Sequence, residues 1–387
     1  MSKKSVVTQI NEVRLPIVEI EVDMIIDNPN DSNANMRAYN RAGEKVYDPA
    51  VWKSCDFAQN DEWLYQFSNA EIGELKEAIA QYDYEGVDLM PLTRDEFALP
   101  KFGDTLHQIR QELLYGRGFI NFRGLPLAEF GNRGAGIAFW AISQYLGDGI
   151  CSQNDKGHVL GHVTDLGETK SKPTERGPYS RESIPFHADA CDIVGLLCLQ
   201  TAKSGGESSI VSSATIHNEI LKLRPDLLRV LYEPYTRDRR GEIPAGMDPW
   251  YHLAVFHTHE GYFSSNIEPT YIKSACRFSE ISDMSPAQCE AIDMVQDLAI
   301  ENCFDMDFVL GDMQFINNHV TFHSRNGFED YEDRDRKRHL MRIWIKANDG
   351  RPLPTDFYAR HGAPEDIGRP GGIVGPTTVF SAPLTRE

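Results

Sequence analysis

The chain has 387 residues, 41% hydrophobic and 25% charged, and these globular proportions exclude an intrinsically disordered protein. Its formal net charge of −19 argues against general nucleic-acid binding, because phosphate contacts need a basic surface. The seven cysteines form no Cys-x-x-Cys pair, and we find neither a signal peptide nor an apolar run of membrane-spanning length. These features predict a cytoplasmic protein with free thiols and no membrane partner.

The N-terminal part is predicted to combine strands, helices and a long polar segment. Residues 12–26 alternate in places and predict a strand, whereas residues 27–62, rich in Asn, Asp and Ser, predict a surface excursion. Asn69 and Asp104 are candidate N-caps of two helices. A short strand at 119–124 and a helix over 129–146 follow.

From about residue 185 the pattern becomes that of short strands. The apolar run 192–203 and the extended segment 208–213 flank a Ser-Gly-Gly-Glu turn and predict a buried hairpin. Further elements are predicted as helices at 214–223 and 225–233, a hairpin at 256–267 turning at Glu260-Gly261, a helix starting at Ser285-Pro286, two strands within 304–325, and a strand at 338–347. On that last strand Arg338, Leu340, Arg342 and Trp344 share one face. Helices followed by many short strands favour a mainly β sandwich or jelly roll with flanking helices.

One sequence motif predicts a metal site. His187 and Asp189 are two residues apart, so on a strand they point to the same face. Two histidines and one carboxylate on one side of an iron(II) ion leave its remaining positions open, as in non-haem iron oxygenases. A His-x-Asp motif is common by chance, but His323 lies downstream in a strand-like segment, and the basic strand carrying Arg338 and Arg342 follows it.

Other histidines compete for the metal. His319 lies four residues before His323 and would face the same side of a strand. His257 and His259 could also form a pair, although the tip of a hairpin with solvated polar groups is the better interpretation.

The segments around these residues resemble the taurine dioxygenase and 2,4-dichlorophenoxyacetate dioxygenase (TauD/TfdA) family. The resemblance covers about residues 110–346 and rests on IPFHADACDIVGLLCLQTAKSGGESSIVSS, FINNHVTFHSR and RKRHLMRIWI. It implies a double-stranded β-helix, or jelly-roll, core. It also implies that His187, Asp189 and His323 bind iron(II), with 2-oxoglutarate and dioxygen as co-substrates. The His-Ser-Arg that begins at His323 matches the family pattern and favours His323 over His319.

The same resemblance implies a binding site for 2-oxoglutarate. Arg338 would hold its distal carboxylate, Ser208 would donate a hydrogen bond to the same group, and Arg342 would lie near the metal, close to the co-substrate or the substrate. Guanidinium suits this task because it binds a carboxylate through two parallel hydrogen bonds. The loop before Arg338 is longer than in the family pattern, which leaves Arg334 as an alternative anchor.

Candidate substrate contacts are Tyr179, Arg181, His162, Asn318 and Arg342; Asn317 or Asn318 could instead brace His323. The cluster Arg239-Arg240-Gly241-Glu242 is typical of a solvated loop, although an arginine there could meet a substrate carboxylate.

The resemblance implies hydroxylation of a C–H bond in a small anionic or zwitterionic substrate, such as an amino acid or another carboxylate, with release of succinate and CO2. Asp189 argues against halogenation, because related halogenases lack this carboxylate. The alternatives are an iron oxidase or cyclase on the same fold and a non-catalytic jelly-roll binding protein. We expect one catalytic domain over 1–387, with an N-terminal region at 1–104, the oxygenase core at 105–346 and a C-terminal coil at 347–387. A homo-oligomer is also expected.

Overall fold

Two β-sheets pack against each other at the centre of the computed structural model, and helices cover their outer faces. The structure describes residues 31, 33–38, 40–154, 156–167, 179–244, 246–357, 369, 372–373 and 378–386. The strand predicted at 12–26 lies outside the described residues. The helices are α1 (Ala34–Arg37), α2 (Asn69–Ile79), α3 (Phe102–Tyr115), α4 (Leu127–Leu146), α5 (Ser213–Leu223), α6 (Pro225–Leu231), α7 (Pro269–Ser274) and α8 (Pro286–Asn302).

The strands alternate with these helices along the chain. They are β1 (Leu64–Gln66), β2 (Phe119–Arg123), β3 (Gly149–Cys151), β4 (Leu160–Val163), β5 (Ile184–His187), β6 (Ile193–Gln200), β7 (Ser204–Gly205), β8 (Ser208–Ser212), β9 (Tyr235–Asp238), β10 (Trp250–Leu253), β11 (Phe256–His259), β12 (Tyr262–Ser265), β13 (Phe304–Met306), β14 (Met313–Asn317), β15 (Thr321–Arg325), β16 (Phe328–Glu329) and β17 (His339–Lys346).

The larger sheet has seven strands in the order β1-β2-β14-β6-β17-β3, with β4 also paired to β17. The smaller sheet has the order β13-β8-β15-β5. The two sheets meet through a shared apolar cluster to which Phe119, Val194 and Trp344 contribute from the larger sheet and Ile210 from the smaller. This arrangement confirms the predicted mainly β fold with flanking helices, and it is a jelly roll.

Strand β17 shows how the sequence pattern creates both a core and a site. Met341, Ile343 and Ile345 point outward into the cluster that α2, α3 and α4 form on the larger sheet. The alternate residues, Arg338, Leu340, Arg342 and Trp344, line a cavity between the sheets. The predicted common face of these four side chains is therefore confirmed. Helices α5, α6 and α8 cover the outer face of the smaller sheet in the same way.

Two helix starts differ from the prediction. The hydroxyl of Ser68, one residue before Asn69, accepts a hydrogen bond from the backbone N–H of Glu71 and caps α2. Helix α3 begins before Asp104, and the Glu74 carboxylate from α2 accepts the backbone N–H groups of Lys101 and Phe102. A tertiary contact therefore replaces the local cap that the sequence predicted. The predicted cap at Ser285 is confirmed, since its hydroxyl accepts from Gln288.

The turns follow the predicted positions. Glu260 has a φ of 50°, and it joins β11 to β12 as the Glu-Gly motif indicated. In the Ser-Gly-Gly-Glu turn, Gly206 has a φ of 77°, and a Cβ there would lie 3.0 Å from Nε of Arg338. Glycine is needed at this position by both the backbone and the close approach of the arginine.

Within residues 27–62, predicted as a surface excursion, most of the described residues are exposed or half-buried, but several are buried. Arg37 and Asp48 are both buried and form an ion pair with Nε–Oδ2 at 2.7 Å. Arg351, from the C-terminal part, binds the same carboxylate with Nη1–Oδ2 at 2.6 Å. The polar composition of 27–62 reflects this buried charge network, which fastens the segment to the core and to the C-terminal part. None of the helices in the described part of the chain has the length and apolar character needed to cross a membrane.

We expect Asp48→Asn to destabilise the protein. Burial raises the pKa of Asp48, but Arg351 and Arg37 outweigh it and lower the pKa from 3.8 to about 2. Because the folded pKa lies below the unfolded one, the ionised carboxylate contributes stability above pH 4 that is lost as the pH falls towards 2. Removing one partner of a buried ion pair costs about 3–5 kcal/mol.

Thermal unfolding at pH 7 and at pH 2–4 tests this expectation. The difference in unfolding temperature between wild type and Asp48→Asn should be large at pH 7 and should shrink below pH 4. Asp61→Asn, at an exposed position, is the control and should change little at either pH. If the two substitutions lowered the unfolding temperature equally at pH 7, the buried ion pairs of Asp48 would not be stabilising the protein.

Candidate metal and co-substrate site

Strand register brings the three predicted metal ligands together. Strand β15 pairs with β5 so that His323 lies opposite His187, and their ring centroids are 4.2 Å apart. Asp189 follows two residues after His187, and its Oδ1 and Oδ2 lie 3.8 Å from Nε2 of His187 and of His323, respectively. Within the described residues, this triad is the group of His, Cys, Asp or Glu side chains whose ligand atoms lie close enough to hold a metal ion, all within 4.8 Å of one another.

The geometry of the triad fits a metal ion. Imidazole nitrogens bind a first-row metal at about 2.1 Å, so two ligands of one ion lie at most about 4.2 Å apart. Nδ1 of His187 lies 3.0 Å from the carbonyl oxygen of Pro185 and donates to it, which leaves Nε2 unprotonated towards Asp189. A metal-binding histidine usually donates the N–H of its other ring nitrogen in this way, and that hydrogen bond fixes its tautomer.

The surroundings of Asp189 keep its carboxylate ionised and oriented. Nε1 of Trp344 donates to Oδ2 at 2.9 Å, and Nη1 of Arg342 lies 3.4 Å from the same oxygen. The side-chain oxygen of Asn318 accepts the backbone N–H of Asp189 at 3.1 Å. Burial alone would raise the pKa of Asp189, but Arg342 and the two histidines outweigh it and lower the pKa below its ordinary value.

His323 is prepared for the same role by burial. Burial first, and then the neighbouring His187, lower the pKa of His323 to about 3. The ring is therefore neutral at physiological pH, and a neutral imidazole is the form that binds metal.

The competing histidines lie elsewhere. Nε2 of His319 is 2.7 Å from Oδ1 of Asp192, a buried carboxylate that also accepts from Arg369 at 2.8 Å. His257 is buried on β11 rather than solvated at a hairpin tip, and it packs against Phe357 with ring centroids 4.9 Å apart. None of these histidines is among the described residues that line the cavity.

A basic wall adjoins the triad. Arg338, Arg342 and Ser208, the residues predicted to bind the co-substrate, all line the cavity. Nη2 of Arg338 donates to the carbonyl oxygen of Gly206 at 3.1 Å, and Nε of Arg342 donates to Gln153 at 2.7 Å. The hydroxyl of Ser208 donates to Gln314 at 3.0 Å.

The alternative anchor, Arg334, is exposed. It lies in a 3-10 helix before β17, and its Nη2 is 3.5 Å from the carbonyl oxygen of Arg386. The extra loop length therefore places Arg334 outside the cavity lining and leaves Arg338 inside it.

Four of the predicted substrate contacts lie outside the cavity lining. His162 forms a pair with His339, with Nδ1–Nε2 at 2.7 Å. Arg181 binds Asp165 with Nε–Oδ2 at 2.6 Å, and Tyr179 stands just before it in the chain. The side-chain oxygen of Asn318 accepts the backbone N–H of Asp189, whereas the bracing role that the sequence left open was towards His323. Each of these polar side chains except that of Tyr179 has a protein partner in the structure, and the predicted contacts of the four are not confirmed.

The structure adds lining residues that the sequence did not assign to the site. They are Arg240, Glu268, Thr270 and Tyr271 on one side and Arg325 beside the basic wall. Arg240 belongs to the charge cluster for which a solvated loop was the favoured prediction. Arg325 was noted only as the last residue of the His-Ser-Arg pattern, with no role of its own. The sequence contains no local signal for Glu268 or Tyr271, because β9 and α7 reach the cavity only through tertiary packing.

The chain matches known proteins over most of its length. Residues 86–344 match the family model described as "Taurine catabolism dioxygenase TauD, TfdA family". The chain is 31% identical over 319 residues to FR-33289 synthase of Streptomyces rubellomurinus (strain ATCC 31215), covering 80% of this chain and 92% of that protein. It is 28% identical over 312 residues to the taurine hydroxylase-like protein SAT17 of Stachybotrys chartarum (strain CBS 109288 / IBT 7711), covering 77% of this chain and 79% of that protein.

Solved structures share the fold at low identity. Asparagine oxygenase in complex with Fe(II), 2S,3S-3-hydroxyasparagine and succinate has a TM-score of 0.58 and 15% identity, covering 74% of this chain and 94% of that one. The non-heme iron oxygenase OrfP in complex with Fe and alpha-ketoglutaric acid has a TM-score of 0.54 and 15% identity, covering 73% of this chain and 93% of that one.

We expect Trp344→Phe to weaken metal binding without unfolding the protein. The substitution removes the indole donor to Asp189 and keeps most of the apolar ring. Loss of a hydrogen bond to a metal ligand typically costs about 10–100-fold in metal affinity. Titration of the metal-free protein with iron(II) under anaerobic conditions, or with cobalt(II), measures this effect.

Trp140→Phe is the matched control, because it removes another buried indole donor, to the carbonyl oxygen of Leu92, far along the chain from the triad. It should leave the metal affinity unchanged. A metal affinity of Trp344→Phe equal to that of wild type would show that this hydrogen bond does not orient Asp189.

Proposed function

The chain belongs to the TauD/TfdA family and is a non-haem iron, 2-oxoglutarate-dependent dioxygenase, and we propose that it hydroxylates a C–H bond of a small carboxylate or amino acid at the cavity between its two sheets. The observation that carries the proposal is the buried His187, Asp189 and His323 triad beside a wall of arginines. An intact triad disfavours a non-catalytic binding protein.

In this proposal the triad holds iron(II) from one side. Two imidazoles and a carboxylate suit iron(II), which, together with 2-oxoglutarate and dioxygen, supplies the oxidising power that protein side chains lack. The contribution of the chain is orientation. Trp344 and Arg342 fix the direction of the Asp189 carboxylate, and the Pro185 carbonyl fixes the tautomer of His187.

Arg338 and Ser208 would bind the distal carboxylate of 2-oxoglutarate. Both line the cavity, and the positive φ of Gly206 lets its backbone approach Arg338 closely. Arg342 lines the cavity beside Asp189, which suits contact with the metal-side end of the co-substrate or with the substrate.

Another part of the cavity wall, formed by Arg240, Glu268, Thr270 and Tyr271, supports a charged substrate. Arg240 has a φ of 53°, and its backbone N–H donates to Oδ1 of Asp238 at 2.8 Å, which holds this left-handed conformation. Its guanidinium lies 5.3 Å from the ring centroid of Tyr271. Residues held in such unfavourable backbone conformations concentrate at functional sites.

Glu268 also lines this wall, so the wall carries one cation and one carboxylate. That pair of charges suits a zwitterion such as an amino acid, with its carboxylate towards Arg240 and its amine towards Glu268. Cytoplasmic location, assembly into a homo-oligomer and organisation as one catalytic domain stay predictions.

We expect His187→Ala and Asp189→Ala to abolish iron(II) binding. Loss of a ligand should exceed the effect of about 10–100-fold that follows from losing a ligand's hydrogen-bond partner. The measurement is anaerobic iron(II) titration of the metal-free protein, followed by assay of succinate from 2-oxoglutarate under air. Both variants should also release no succinate.

His319→Gln is the matched control, because glutamine keeps a donor near the position of Nε2 towards Asp192. It should bind iron(II) like wild type. Loss of iron(II) from His319→Gln together with retention by His187→Ala would overturn the metal assignment. Wild-type protein that binds iron but releases no succinate with any substrate would favour the oxidase alternative.

We expect the charges of Arg240 and Glu268 to set the preferred substrate. A panel of amino acids, their amides and their N-acetyl derivatives is compared by substrate-stimulated succinate release. Arg240→Gln should raise KM by about 10–100-fold for substrates with a free carboxylate, since a hydrogen bond to a charged group contributes about 1.5–3 kcal/mol. Glu268→Gln should do the same for substrates with a free amine.

Lys273→Gln is the control for loss of a nearby positive charge, because Lys273 lies on α7 with a side chain 62% exposed. It should leave every KM unchanged. If Arg240→Gln affects amides and free acids equally, Arg240 does not recognise the carboxylate.

A further inference from the structure

Arg325 is a buried cation that the assigned roles do not explain. It lies on β15 two residues after His323, so both side chains point to the same face of the strand. It lines the same cavity as the triad and is only 7% exposed.

The guanidinium of Arg325 is only partly satisfied. Nη2 donates to the carbonyl oxygen of Ser180 at 2.7 Å and to that of Glu182. Nε and Nη1 are buried and have no hydrogen-bond partner among the residues that the structure describes. Buried N–H groups of a charged side chain are costly without a partner, so these donors indicate an acceptor that belongs to a ligand.

Strand pairing places Arg325 beside Ser208. In the antiparallel ladder of β15 with β8, Arg325 lies directly opposite Ser208. Directly opposed residues on one face of such a pair have Cβ atoms about 4.5–5.5 Å apart. The serine proposed to bind the distal carboxylate of 2-oxoglutarate therefore has an arginine as its immediate neighbour.

Arg338 completes the group. The guanidinium carbons of Arg325 and Arg338 lie 4.9 and 5.4 Å, respectively, from the ring centroid of Phe328. In the described part of the chain neither arginine has a carboxylate in ion-pair contact. A guanidinium group keeps its charge at neutral pH, so both arginines are cations. Two buried cations that pack on the same ring and line the same cavity favour an anion that both can contact.

We propose that Arg325 and Arg338, together with Ser208, form a two-guanidinium cradle for the distal carboxylate of the co-substrate. The inference rests on the proposed function, because it concerns the same 2-oxo dicarboxylate. It extends that function in two ways. Arg325 becomes a second co-substrate-binding residue, and the cradle can bind a dicarboxylate through one carboxylate without a metal ion.

The experiment separates the cradle from the metal. Glutarate has the distal carboxylate but no 2-oxo group, so its binding to the full-length, metal-free protein is measured by isothermal titration calorimetry. Wild type should bind glutarate, and Arg325→Gln should weaken this binding by about 10–100-fold. Arg334→Gln removes one positive charge from a nearby exposed position and should change nothing.

A second probe tests whether Arg325 recognises the carboxylate or only supports the fold. 2-Oxopentanoate keeps the chelating end but lacks the distal carboxylate, and its binding to the iron(II) protein is followed by the visible charge-transfer band under anaerobic conditions. Arg325→Gln should leave this affinity within about twofold of wild type. If Arg325→Gln does not fold, Arg325→Lys replaces it, because lysine keeps the charge but not the paired N–H donors of the guanidinium. Arg325→Lys should also weaken glutarate binding without affecting 2-oxopentanoate, but by a smaller factor.

Three results would overturn the cradle. They are wild-type protein that does not bind glutarate, equal glutarate affinities in wild type and Arg325→Gln, and equal losses for glutarate and 2-oxopentanoate. Failure of the proposed function would look different, because the band with 2-oxopentanoate would then be missing from wild type itself.

Discussion

The pairing of β15 with its two neighbours fixes both ends of the site at once. Against β5 it sets His323 opposite His187, and against β8 it sets Arg325 opposite Ser208. A slip of one residue would turn every side chain of β15 to the other face, which is covered by apolar residues of α5 and α8. The hydrophobic pattern of this strand therefore holds the metal end and the carboxylate end of the cavity in one fixed relation.

Buried charge is the cost of this arrangement, and for the buried carboxylates the chain offsets it with partners. Asp189 has Trp344 and Arg342, whereas Asp48 has Arg37 and Arg351. The second of these networks joins an N-terminal segment to the C-terminal part, far from the cavity. Because removing one partner of a buried ion pair strongly destabilises a protein, such networks fasten segments that have only short helices of their own.

Sequence periodicity predicted the parts of the molecule that repeat locally. The common face of Arg338 to Trp344, the hairpin at Glu260 and the cap at Ser285 all follow from spacing over a few residues. It failed where a partner comes from far along the chain, as for the start of α3 and for the buried residues within 27–62. For Arg240 the sequence favoured a solvated loop and kept contact with a substrate carboxylate only as an alternative, since its position in the cavity depends on packing between β9 and α7.

The cavity differs in charge from the chain that encloses it. Its described lining contains four arginines and two carboxylates, whereas the whole chain has a formal net charge of −19. Surface charges are screened within about 10 Å at 0.1 M salt, but charges in a water-poor cavity are screened far less. The arginines therefore dominate the field that an anion meets inside, whatever the sign of the surface. Arg325 and Arg338 pack on the ring of Phe328, whereas Arg240 packs on the ring of Tyr271, so two anionic groups can bind in one cavity without competing for the same cation.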